Sequence, residues 1–113
     1  MVNNKQYFEL QQGDILFLDF DPTLGHEQRD YRPCIVLTKS LKYLNYMFGV
    51  APITSNSREF PLHLPLPEGM NIQGKVLLEH HRMVDLETRK FNYVESAGSE
   101  FTEECVAKLK LLY

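Results

Sequence analysis

The chain has 113 residues, 43% of them hydrophobic and 24% charged, with a net charge of −3, which fits one globular domain of ordinary composition. That length leaves little room for a second full domain. Six Gly and six Pro are too few for a collagen-like or low-complexity chain, and an acidic total argues against a protein that coats nucleic acid non-specifically.

In chain order, residues 14–20 (DILFLDF) are β-rich, with Asp14, Leu16, Leu18 and Phe20 on the face opposite Ile15, Phe17 and Asp19, and predict a strand. A polar loop follows, punctuated by Pro22 and Gly25. Residues 32–38 (RPCIVLT) predict a second strand, apolar enough at its centre to be buried on both faces, with Pro33 tolerated at its start. Residues 46–53 (YMFGVAPI) predict a third. Residues 62–66 (LHLPL) alternate but contain Pro65, the mark of an edge strand, and residues 75–80 (KVLLEH) predict a fifth strand. MVDLETRK, residues 83–90, reads as a short helical turn with Asp85 as N-cap. A helix is expected over 102–112, where Phe101, Cys105, Leu109 and Leu112 share one face and acidic and basic residues suit its two ends. Short strands at roughly ten-residue spacing, closed by one helix, indicate a mainly β (α+β) domain, a small antiparallel β-barrel filling residues 1–113.

The charge is unevenly placed. Residues 1–27 carry a net −4, residues 28–58 a net +4 and residues 59–113 a net −3. A local basic band on an acidic protein can hold a short anionic ligand, although a solvated surface reads the same in charge alone. Cys34 and Cys105 are too few and too far apart for a disulfide framework. The start, MVNNKQYFELQQ, lacks a signal core, and no apolar run reaches the length of a membrane span. A reduced, cytoplasmic setting is the expectation.

The densest polar stretch is His26, Glu27, Gln28, Arg29, Asp30, Tyr31 and Arg32, a loop between two hydrophobic strands. Such loops carry function on rigid scaffolds. Pro33 pushes Arg32 toward extended geometry at the strand mouth, where a guanidinium can grip two phosphate oxygens in a planar fork. A surface Arg paired with Glu27 or Asp30 reads the same locally. Thr54 and Ser55 end the third strand. If strands two and three are antiparallel, Thr54 lies near Arg32, and hydroxyls beside a guanidinium make an oxyanion pocket. A turn in which those hydroxyls bond their own backbone is the alternative. His26, His63, His80 and His81 lack metal-ligand spacing, and His80 and His81 would point to opposite faces of a strand, so no metal or other cofactor is expected. Cys34 sits in a strand that reads as buried, which makes a poor nucleophile.

Residues 13–38, GDILFLDFDPTLGHEQRDYRPCIVLT, resemble the opening of the MazF/PemK (Kid) toxins of type II toxin–antitoxin pairs. The matching parts are Gly13-Asp14, Asp21-Pro22, Gly25-His26-Glu27-Gln28 and Arg32-Pro33. The resemblance returns at Ala51-Pro52-Ile53-Thr54-Ser55 and at Val76 to Asp85, so it covers nearly the whole chain. It implies an SH3-like barrel of the CcdB/Kid/MazF type, paired as a homodimer and neutralised by a cognate antitoxin with an acidic, flexible C-terminal segment. DNA would be met only through that antitoxin. It also implies a metal-independent endoribonuclease that cuts single-stranded RNA to a 2′,3′-cyclic phosphate and a 5′-hydroxyl. Carried over by position, Arg32 and Thr54 are the catalytic pair, with Glu27 and His26 as further catalytic candidates. Gln28, Arg29, Tyr31, Ser55, Glu79 and Arg82 would bind RNA. Kid-type members place a second Arg and an Asp where this chain has Leu77 and Glu79, which favours a MazF-like arrangement centred on Arg32. Tyr31, Phe48 and Phe60 are the aromatic candidates for stacking on splayed bases, with a place in the core the alternative for each. A non-enzymatic gyrase poison of the CcdB kind and a non-catalytic binding barrel are the competing readings, and the Arg32-Pro33 and Thr54 pair counts against the first.

Overall fold

The computed structural model describes residues 5–20, 31–40, 47–55 and 62–113. It contains strands β1 (Asp14–Asp19), β2 (Tyr31–Val36), β3 (Met47–Thr54), β4 (His63–Pro65), β5 (Lys75–Leu77), β6 (Arg82–Asp85) and β7 (Phe91–Ser96), then helix α1 (Ser99–Lys110). Short 3-10 turns cover Tyr7–Glu9 and Leu78–His80. Every strand pairing is antiparallel. The order is β4-β5-β3-β2-β1-β7, with β6 attached to β3. The sheet is barrel-like without closing, and β4, with its Pro65, is an edge as the sequence predicts.

The alternation in β1 explains the layering. Leu16, Leu18 and Phe20 join Cys34, Val36, Phe48, Val50 and Val84 in an inner cluster. The residues between them turn the other way, and Ile15, Ile35, Leu37, Ala51 and Ile53 form an outer cluster with Val76, Leu78, Phe101 and Cys105. Residues 34–37 are all buried, so β2 does serve both faces. Each of these fully buried aliphatic side chains contributes about 1.5–3 kcal/mol of transfer free energy.

Two elements differ from the sequence expectation. Residues 83–90 do not form a helical turn. Arg82–Asp85 is a strand pairing with β3, from Met47 opposite Asp85 to Val50 opposite Arg82, and a further strand, β7, follows and pairs with β1. The Asp85 carboxylate accepts from Glu87 N at 2.9 Å. That bond belongs to an Asx turn between two strands, and Asp supplies the same acceptor to turns and to helix N-caps. The short, alternating Met83-out, Val84-in pattern of β6 is satisfied only against β3. Leu78, Glu79 and His80 likewise leave β5 for the 3-10 turn, which His81 caps with its Nδ1 2.8 Å from Leu78 O.

Helix α1 starts at Ser99, three residues earlier than expected. Its first turn is closed by Thr102 Oγ1 donating to Gly98 O at 2.7 Å. The helix sits on Gly13, which has φ +94°; a Cβ there would fall 2.5 Å from Thr102 Oγ1. Asp14, next in the chain, is a buried carboxylate that accepts from Lys5 Nζ at 2.9 Å and Gln11 N at 2.8 Å. That pair ties the N-terminal segment to the sheet. Among the described residues, no helix is long and apolar enough to cross a membrane.

Candidate active site

β2 and β3, which carry the two leading residues, are neighbours. Cys34 lies opposite Pro52, Ile35 opposite Ala51 and Val36 opposite Val50. The ladder ends there, two residues short of Arg32 and Thr54, and its register continued would set the two abreast. Both side chains then share the face that carries the inner cluster, because Arg32 alternates with Cys34 and Thr54 with Pro52 and Val50. Arg32 is exposed and Thr54 half-buried. Cross-strand neighbours on one face bring their Cβ atoms to about 5 Å, close enough for one anion to touch a guanidinium and a hydroxyl.

Phe20 supplies the floor. The Arg32 Cζ stands 5.5 Å from the centre of its ring, and the Arg82 Cζ 5.9 Å from the same ring. Two guanidinium groups from β2 and β6 thus meet over one aromatic ring, an arrangement that orients both without cancelling their charge. Arg89 fixes this floor, donating from Nη1 to the carbonyls of Asp19 and Phe20 at 3.2 and 3.0 Å.

On its other side Thr54 pairs with Lys75 of β5. Here the backbones press close. Gly74 has φ +129°, and a Cβ on it would lie 2.3 Å from Thr54 O. Only glycine fits that approach. Nothing in the sequence marks Lys75 and Gly74 beyond a Gly-Lys step opening a strand.

The remaining candidates divide. Ser55 follows directly at the end of β3 and is exposed. Tyr31 alternates with Arg32 and so faces the other side of the sheet. Its ring stacks on Phe17 at 5.6 Å between centroids, and its hydroxyl accepts from Asn92. Phe48 is completely buried in the inner cluster, so it is a core residue with no face to offer a base. Glu79, in the 3-10 turn, lies 2.7 Å from His63 Nε2 on β4 and 3.7 Å from His80. Burial pushes its carboxyl up, but hydrogen bonds from His63 and the backbone, with the charges of His63 and His80, outweigh this and hold it below the usual carboxylate range. Its second oxygen, Oε1, is buried with no hydrogen-bond partner in the structure. His26, Glu27, Gln28, Arg29 and Phe60 lie outside the described residues.

Neither cysteine is chemically poised. Burial pushes the Cys34 thiol far above its ordinary value. Burial and the Glu104 charge push Cys105 up to about 12. Among the described residues no three His, Cys, Asp or Glu side chains converge as metal ligands.

The comparisons with known proteins agree with one another. Residues 11–113 match the family described as PemK-like, MazF-like toxin of type II toxin-antitoxin system. The chain is 35% identical to the Endoribonuclease toxin ChpB of Escherichia coli (strain K12), over 90% of this chain and 92% of that protein. Its fold matches the crystal structure of MazF from Deinococcus radiodurans with a TM-score of 0.77 and 30% identity, covering 91% of this chain and 94% of that one. A crystal structure of MazE-MazF from the same organism matches with a TM-score of 0.74 and 25% identity, covering 91% and 93%.

Proposed function

This chain belongs to the PemK-like, MazF-like toxin family of type II toxin–antitoxin systems, and on that premise we propose that it is an endoribonuclease that cuts single-stranded RNA without a metal ion. The observation that carries this reading is the placement of Arg32 on β2 and Thr54 on the neighbouring β3, each two residues beyond the Cys34–Pro52 pair, with Arg32 over the Phe20 ring that Arg82 shares.

The chemistry asks little of the protein. The ribose 2′-hydroxyl attacks the adjacent phosphorus, and the bond to the 5′-oxygen breaks. The products are a 2′,3′-cyclic phosphate and a 5′-hydroxyl. The enzyme has to align those three atoms, which is an orientation effect, and stabilise the charge that builds on the phosphoryl oxygens. The Arg32 fork is suited to two of those oxygens and the Thr54 hydroxyl to one. A guanidinium is a poor base. Glu27 and His26, from the polar loop, are chemically better suited to take the 2′-proton. Arg82, Ser55, Gln28 and Arg29 would hold the flanking nucleotides. Glu79 would act through the Leu78–His80 turn at the rim, its carboxylate being already engaged with His63. Tyr31, on the opposite face, would reach RNA only where the strand wraps around the edge of β2.

A cognate antitoxin accords with the MazE-MazF complex among the structural neighbours. An acidic, flexible antitoxin segment competing for Arg32 and Arg82 would inhibit by occlusion. The active unit in this reading is a cytoplasmic homodimer.

The test is direct. The purified protein is incubated with mixed-sequence RNA in EDTA and the ends are mapped. Cleavage with cyclic phosphate ends is expected, and Arg32→Ala should lower the rate at least about 10²–10³-fold while sedimentation still shows a dimer. RNA left intact by the wild type, or cleavage that needs added magnesium, would overturn the reading.

A further inference from the structure

We propose that Lys75 is a phosphate-contacting residue of this site, holding the RNA phosphate next to the one gripped by Arg32 and Thr54. The inference rests on the endoribonuclease reading and adds to it a residue that neither the sequence motifs nor the family match single out.

Three observations carry it. The first is position. Lys75 is the direct cross-strand partner of Thr54, so the two side chains rise from the same face with Cβ atoms about 5 Å apart. Arg32 stands on β2, on the other side of β3. The strand that carries Thr54 therefore runs between the strands of two cations, about 10 Å apart, twice the inter-strand spacing. Pro65, Lys75 and Thr54 form one row across the sheet, and on β2 Arg32 pairs with Leu18.

The second is construction. The Gly74 backbone approaches so closely that a Cβ would meet Thr54 O at 2.3 Å, and Gly74 O accepts from Leu66 N at 2.9 Å. Lys75 is thus fixed against Thr54 by backbone geometry at its own neighbour.

The third is cost. β5 lies between β4 and β3 rather than at an edge, and lysine is disfavoured in such strands. Half-buried there, Lys75 can lay its methylenes along the sheet and lift its ammonium to the rim. A point charge of that kind suits a flanking phosphate, while the planar fork of Arg32 suits the reacting one.

The experiment measures binding of a short single-stranded RNA to the EDTA-treated dimer across a range of NaCl concentrations, alongside steady-state cleavage. Lys75→Met should weaken binding about tenfold at low salt, raise KM more than it lowers kcat, and reduce the slope of log K against log salt by about 0.7, one counterion on a single strand. Lys75→Arg should restore the slope. Thermal melts of both variants separate lost contact from lost fold. A wild-type slope and KM in a folded Lys75→Met protein would overturn the proposal. If Lys75→Met does not fold, a Lys75→Arg protein that folds yet loses the slope would do the same. A wild-type protein that cleaves no RNA fails the underlying reading instead, and the two failures are distinguishable in one set of assays.

Discussion

The two apolar clusters on either side of one sheet differ in what they support. The inner cluster draws almost wholly on strands, with Phe48, Val50, Leu16 and Leu18 fully buried, and the Arg32–Phe20–Arg82 group stands on its rim. The outer cluster depends on a helix and on short strands, with Phe101 and Cys105 of α1 packed against Val76 and Leu78. It carries the Leu78–His80 turn and, through β5, Lys75. The contrast teaches that Arg32 is placed by the long central strands, whereas Arg82, Glu79 and Lys75 are placed by short elements, β6, the Leu78–His80 turn and β5.

Breaking the inner cluster should have the largest effect. Phe48→Ala removes a completely buried ring and should cost about 3–5 kcal/mol, read from the urea midpoint. Phe101→Ala, at a site 8% exposed, should cost less and, in amide exchange, release α1 while β1–β3 stay protected. Equal losses in both variants, with α1 and β1–β3 exchanging together, would show one cooperative core and dissolve the comparison.

Gly74→Ala comes next. It meets both a positive φ and the Thr54 carbonyl, so a loss of about 1–3 kcal/mol is expected, with a fall in RNA cleavage larger than the stability loss explains. Cleavage unchanged in a folded variant would separate Thr54 from the β5 contact.

The smallest effect concerns pH. Glu79 has its folded pKa depressed, so its stabilising contribution is present above the unfolded value of about 4.3 and is lost as pH falls through the lower folded value. In Glu79→Gln the acid limb of the stability curve should be shallower. Parallel curves for wild type and variant would assign the acid sensitivity elsewhere.

Much of this was legible in the chain because period-two alternation is strong where both faces are apolar: β1, β2 and β3 follow it, and with them the antiparallel pairing of the strands that carry Arg32 and Thr54. β6 and β7 were not, because Asp85 offers the same carboxylate to a turn as to a helix cap. Phe48 was offered as a stacking ring because an aromatic in a strand shows its type and not its depth. Lys75 was missed for the opposite reason: a lone lysine carries no motif, and only the pairing of β5 with β3 gives it a neighbour.

The buried thiols have a use beyond packing. Cys34 lies in one cluster and Cys105 in the other, and both are shielded from solvent in the closed molecule. An alkylating reagent can reach either only when its own cluster opens. Under conditions where closing outpaces labelling, the two modification rates report two separate opening equilibria. The molecule therefore carries a built-in timer for each half of its interior, readable by mass spectrometry without any added probe.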